Sequence, residues 1–188
     1  MNEQPEKKIH FREFKALSRA IVSYDDLNLL ADHLSERICR YFEVIGCSIM
    51  LFDEREQQLF RLSSFGISEE YLKKGPILAD GRYSAFIKGE PIFIKNFQND
   101  RRIQYPEEAV QEGLVSMLSV PVKYRGAPIG LIRVYHNRIW ELHDDDLESF
   151  QVLSEFLGIV IENNGLQNFL DQVKDAFDNL PVRLLEEN

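Results

Sequence analysis

Arg133 is the one charge in an otherwise apolar run, PIGLIRVY, from Pro128 to Tyr135. A guanidinium keeps its proton in a protein. Buried, Arg133 would need an acidic partner or an anionic ligand; at a sheet edge it would simply be solvated. The surrounding stretch, SVPVKYRGAPIGLIRVYHN, holds no obvious nucleophile, no metal-ligand cluster and no phosphate-cradling loop. The other reactive side chains are scattered. Cys39 and Cys47 form no CxxC pair and read as buried free thiols. His10, His33, His136 and His143 lack the three- or four-residue spacing of a helical metal pair, so no metal is assigned. His136 and His143 flank one loop and read as solvated.

These side chains depend on the elements that carry them. Phe11, Phe14, Leu17 and Ile21 recur at three or four residues, a helical stripe after a polar start over residues 1–8. Asp25-Asp26 can cap a second helix, striped by Leu27, Leu30, Leu34, Ile38 and Phe42 and ended at Gly46. CSIMLFD and LFRLSSFG, around the polar REQQ, predict a hairpin. Residues 66–113 predict a lid: short helices in SEEYLKKG and RYSAFIKG closed by Gly75 and Gly89, an edge strand in PIFIKN, a loop, and one or two helical turns in PEEAVQEG. Met117–Lys123 and Pro128–Tyr135 predict a central hairpin covered on both faces, because nearly every position is apolar. Asp144, Asp145 and Asp146 suit the positive end of a long helix. Its stripe of Leu147, Phe150, Leu153, Leu157 and Val160 changes phase at Asn163-Asn164-Gly165, where a break or stutter is expected. A second stripe follows over Leu166, Phe169, Val173 and Phe177, with Pro181 and an acidic tail after it.

The 188 residues suit one domain with some extra helix, and 44% hydrophobic with 28% charged residues is a globular balance. A net charge of −9 argues against nonspecific binding to nucleic acid or anionic membranes. The N-terminal segment has no apolar core of a signal peptide, and no run reaches the length of a membrane span. A cytoplasmic location is the expectation.

Three segments resemble the GAF domain family, the small-molecule-sensing relatives of the PAS fold, over roughly residues 27–164. GEPIFIKNFQNDRR is similar to the family's G-x-P-x-x-I-x-D…D-x-R segment. LVSMLSVPVKYRGAPIGLIRVY is similar to its core hairpin, and WELHDDDLESFQVLSEFLGIVIEN to its closing helix. The resemblance implies an α+β fold: a central antiparallel sheet, first and last helices on one face, and a lid over a pocket on the other. It divides the chain into an N-terminal helical extension (1–24), the domain itself (25–164) and a C-terminal helix with acidic tail (165–188). A cyclic-nucleotide reading is a distant alternative. Asn137, Arg138, Trp140, Asp144 and Asp145 only partly keep that frame and serve more simply as turn residues and helix cap. The lid has neither Cys nor His for a covalent bilin, and none of the reactive lid cysteines that a free-methionine sulfoxide reductase of this family needs.

The resemblance and side-chain type together nominate Ser48, Phe65, Tyr83, Tyr105, Glu108, Ser119 and Arg133 as pocket lining. The alternative is a cavity filled by its own side chains. The cofactor, if any, is unassigned. Phe11, Phe14, Leu17 and Ile21, with Leu166, Phe169, Val173 and Phe177, are expected to pair two copies in a parallel homodimer. Packing of the terminal helices within one chain is the other possibility. The expected function is a non-catalytic sensory or regulatory domain that binds a small molecule, mediates dimerisation, or both. It would act on a signalling output domain or partner protein. A ligand-free dimerisation or protein-interaction module is the alternative.

Overall fold

The computed structural model describes residues 5–21, 23–24, 26–78, 84–97 and 100–178, without the side chains of 176–178. The first stripe forms α1 (Phe11–Ile21) and the second α2 (Leu27–Tyr41). The Asp26 carboxylate caps α2 by accepting the Leu29 N–H at 2.9 Å. β1 (Gly46–Asp53) and β2 (Gln58–Phe65) form the first hairpin. The lid follows as α3 (Glu69–Leu72), β3 (Ile77–Leu78), α4 (Ala85–Lys88), β4 (Ile92–Ile94) and α5 (Pro106–Gln111). Gly89 ends α4 in the left-handed region at φ 64°, where a glycine carries no Cβ penalty. β5 (Ser116–Tyr124) and β6 (Ala127–His136) make the central hairpin, turning through Arg125 and Gly126 at φ 49° and 85°. Two successive positive φ angles match the right-handed twist of paired strands.

All pairings are antiparallel, in the order β3-β2-β1-β6-β5-β4. β6 thus lies at the centre and β4 at an edge, as PIFIKN predicts. β3 is too short to leave a pattern in the sequence; it extends the sheet beyond β2. Strand alternation sorts the core. Cys47, Ile49, Leu118, Val120, Ile132 and Val134 face α1, α2 and α6. Met50, Leu59, Met117, Leu131 and Tyr135 face the lid. A bulge at Leu62 re-sets β2: Ile49 pairs with Ser63 and Met50 with Arg61. Ser63 then reaches α2, donating to Asp32 at 2.7 Å and sharing a 3.0 Å bond with Ser35.

The expected break in the last helix is absent: α6 runs without interruption over Asp144–Asp178. A change of stripe phase does not stop a helix when there is nothing to pack against, and from Leu166 to Leu170 its side chains are exposed. The boundary at 164/165 therefore falls inside one helix. The three aspartates occupy its first turn, but Asp146 turns its carboxylate to the N-terminal segment. It accepts the Lys8 N–H at 2.9 Å and the Ile9 N–H at 3.0 Å.

Candidate functional site

Register places one polar row across the lid-facing side of the sheet. Ser64, Ser48, Arg133 and Ser119 are consecutive partners on β2, β1, β6 and β5. The Ser48 and Ser64 hydroxyls bond at 2.9 Å, and Arg133 Nε donates to Ser119 Oγ at 2.9 Å. That bond orients the guanidinium over the sheet centre, where it also bonds the Tyr135 hydroxyl and borders the space above. Among the described residues no carboxylate forms an ion pair with Arg133.

That space is a cavity of about 270 Å³ between sheet and lid. Tyr71, Phe97, Ile103 and Met117 supply apolar wall, and Tyr105 stands at the lid side. Four cations line it, Lys74, Arg101, Arg102 and Arg133, and no carboxylate does among the described lining residues. Arg102 is forked onto Asp100, with Nε–Oδ1 at 2.8 Å. The Lys74 ammonium lies 3.6 Å from the Tyr71 ring centroid and donates to the Tyr71 carbonyl at 3.1 Å. Burial, and then the Arg133 charge, lower the Lys74 pKa to about 8, against an opposing pull from Glu108 and Glu112. Burial likewise raises the Tyr71 and Tyr135 hydroxyls, so both stay neutral donors at ordinary pH.

Side-chain contacts between its described segments tie the lid together. Glu112, just after α5, accepts both the backbone N–H of Ser68 at 2.7 Å and its hydroxyl at 2.5 Å, which ties α5 to the start of α3. Tyr105 donates its hydroxyl to the Pro76 carbonyl at 2.7 Å and packs over Gly75, where an added Cβ would lie 2.7 Å from that oxygen.

The nominated residues divide. Ser48, Ser119 and Arg133 share the row, and Tyr105 lines the cavity. Phe65 is exposed at the end of β2 and does not line the cavity; Glu108 contributes only its field at Lys74 and Tyr71. Tyr83 lies outside the described residues. Tyr71, Lys74, Met117 and Tyr135 were not nominated. Strand alternation alone would have paired Tyr135 with Arg133, whereas Lys74 sits in a polar run that reads as an ordinary helix end.

Cys39 and Cys47 are buried on the helix side of the sheet, away from the cavity. Burial pushes Cys39 up to about 12 and Cys47 well above the ordinary thiol range. Among the described residues no group of three His, Cys, Asp or Glu could hold a metal ion, and no helix is long and apolar enough to cross a membrane. The helices nominated for pairing behave unequally. Leu17 and Ile21 are buried in the chain's own core and Phe14 packs against it, leaving Phe11 exposed. Leu166 and Phe169 are exposed, Val173 is half-buried, and the Phe177 side chain lies outside the described set.

The family model described as GAF domain matches residues 26–161. Solved structures share the fold. The GAF domain of an Acinetobacter phosphoenolpyruvate-protein phosphotransferase is 22% identical with a TM-score of 0.73, over 86% of this chain and 97% of that one. The GAF domain of the Coxiella burnetii phosphoenolpyruvate-protein phosphotransferase is 13% identical with a TM-score of 0.75, over 84% and 95%. A free methionine-R-sulfoxide reductase from Neisseria meningitidis is 12% identical with a TM-score of 0.70, over 89% and 99%. No curated protein matches the sequence.

Proposed function

The chain belongs to the GAF domain family, and from that premise we propose that it is a non-catalytic regulatory module of the cytoplasm that binds a small anion under its lid. GAF domains are commonly sensory or regulatory parts of signalling proteins. One observation carries the reading for this chain. Arg133 stands at the centre of the sheet, oriented by Ser119, in a cavity of cations that no described carboxylate lines, within a chain of net charge −9. A half-buried guanidinium without a counter-charge is costly, and a carboxylate or phosphate offering two oxygens to its terminal nitrogens relieves that cost.

The non-catalytic half of the reading rests on the thiols. Both are buried, deprotonate only with difficulty, and face away from the cavity. The reductase shares the fold, and likeness at 12% identity carries no chemistry across.

Titration calorimetry with inorganic phosphate, acetate and succinate tests the proposal. Arg133→Gln should weaken the best of these at least about tenfold, the scale of one charge-assisted bidentate contact. Ser119→Ala should weaken it less, because the guanidinium remains but swivels. Equal binding by Arg133→Gln and the parent protein would refute the anion site.

A homodimer is the second reading, favoured by the apolar side chains that α6 carries beyond the domain. Leu166, Phe169 and Leu170 are all more than half exposed.

A further inference from the structure

A second cavity of about 240 Å³ lies beside the first, and Lys74 is the one described residue that lines both. Its lining mixes apolar and polar side chains. Met50, Leu59, Leu72 and Ile77 wall it together with the Tyr135 ring. Ser48, Gln58 and Arg61 add polar groups, of which Ser48 bonds Ser64 at 2.9 Å and Arg61 lies 4.0 Å from Glu69. Tyr71 and Tyr135, whose rings meet edge to face at 6.1 Å, link the walls of the two spaces. What the cavities share is therefore a flexible four-carbon side chain. No described carboxylate pairs with it; its ammonium is held by one carbonyl at 3.1 Å and the Tyr71 ring face, with the Tyr105 ring centroid 5.9 Å away.

We propose that the two cavities are halves of one ligand site, divided by Lys74, and that the site takes an organic anion carrying an apolar arm. The anionic head sits over Arg133 and the arm fills the space walled by Met50, Leu59, Leu72 and Ile77. Lys74 leaves the Tyr71 ring and closes on the head. This rests on the anion reading above and narrows it: a bare inorganic anion would occupy half the site. Together the two spaces, about 270 and 240 Å³, reach the size range of drug-sized ligand pockets, whereas each alone falls below it.

A carboxylate series of growing arm, acetate, butyrate, hexanoate and octanoate, separates the two claims when binding is followed by NMR titration. Affinity should rise by about fourfold for each methylene that enters the second cavity. Leu72→Trp and Met50→Phe, which fill that cavity from two sides, should flatten the rise and leave acetate unchanged. Two filling variants guard against one that fails to fold. A series without slope, in which Arg133→Gln weakens every member alike, overturns the divided site and leaves the anion reading intact. A slope that survives in both filling variants overturns it too, because the arm then lies elsewhere. Failure of every member to bind at millimolar concentration overturns the divided site, and overturns the anion reading too when phosphate and succinate also fail.

Discussion

Single residues divide into those that a two-residue period reveals and those that only the fold brings in. Arg133 was conspicuous as a charge in an apolar strand, and Ser48 and Ser119 were plausible by type. Their alignment in one row follows from register, which the sequence does not print. Lys74 escaped because its position is set by the turn after α3, and no pattern marks a lysine that leaves solvent. Its lowered pKa makes it testable. A lysine at about 8 in the fold and 10.5 unfolded binds fewer protons when folded between those values. Stability should therefore rise with pH over that window. The tyrosines act in the opposite direction above about 10, where the unfolded phenols ionise. Melting temperatures from pH 7 to 10 should climb in the parent protein relative to Lys74→Met. Parallel curves would show that the ammonium is solvated. Asp146 is a second residue with a clear consequence. Its carboxylate holds the Lys8 and Ile9 N–H groups, and Ile9 is only 1% exposed. Asp146→Ala leaves a buried donor unpaired and should cost about 1–3 kcal/mol in denaturant unfolding. Asp146→Asn, which keeps one acceptor, should lose less.

At the scale of elements, hydrophobic period was a good guide where an element packs and a poor one where it does not. The stripes of α2 and the first half of α6 matched their buried faces, that of α1 did so from Phe14 onward, and the turn residues placed both hairpins. The phase change near Gly165 misled because the stripe there has no partner within the chain, so it says nothing about where the helix ends. Two glycines of α6 make the contrast measurable. At Gly158 an added Cβ would lie 2.0 Å from the Lys123 carbonyl oxygen, since helix and β5 backbone touch there. At Gly165 nothing lies within 4 Å. Gly158→Ala should destabilise the domain by about 1–3 kcal/mol despite its better helix propensity. Gly165→Ala should raise helical circular dichroism, with a local gain of about 1 kcal/mol and little change in the unfolding midpoint. Similar effects at the two sites would contradict the close packing of α6 on β5.

For the molecule as a whole, an acidic exterior surrounds a cationic interior site. Long-range repulsion slows the approach of an anion and local attraction holds it, so added salt should speed association as it weakens affinity. The free part of α6 sets the assembly. If Leu166, Phe169 and Leu170 pair two copies, Leu166→Glu with Phe169→Glu should halve the mass seen by light scattering and leave the melting temperature of the domain in place. A monomeric parent protein would remove the dimer. The contact at Gly158 has a mechanical meaning as well. β5 carries Met117 in the cavity wall and, six residues further along the same strand, Lys123 at the seat of α6. From that seat to Asp178 the helix runs about 30 Å at 1.5 Å per residue. It is a lever seated on the strand that also walls the cavity: at that length, a tilt of about 5° at Gly158 carries the far end through about 2.6 Å.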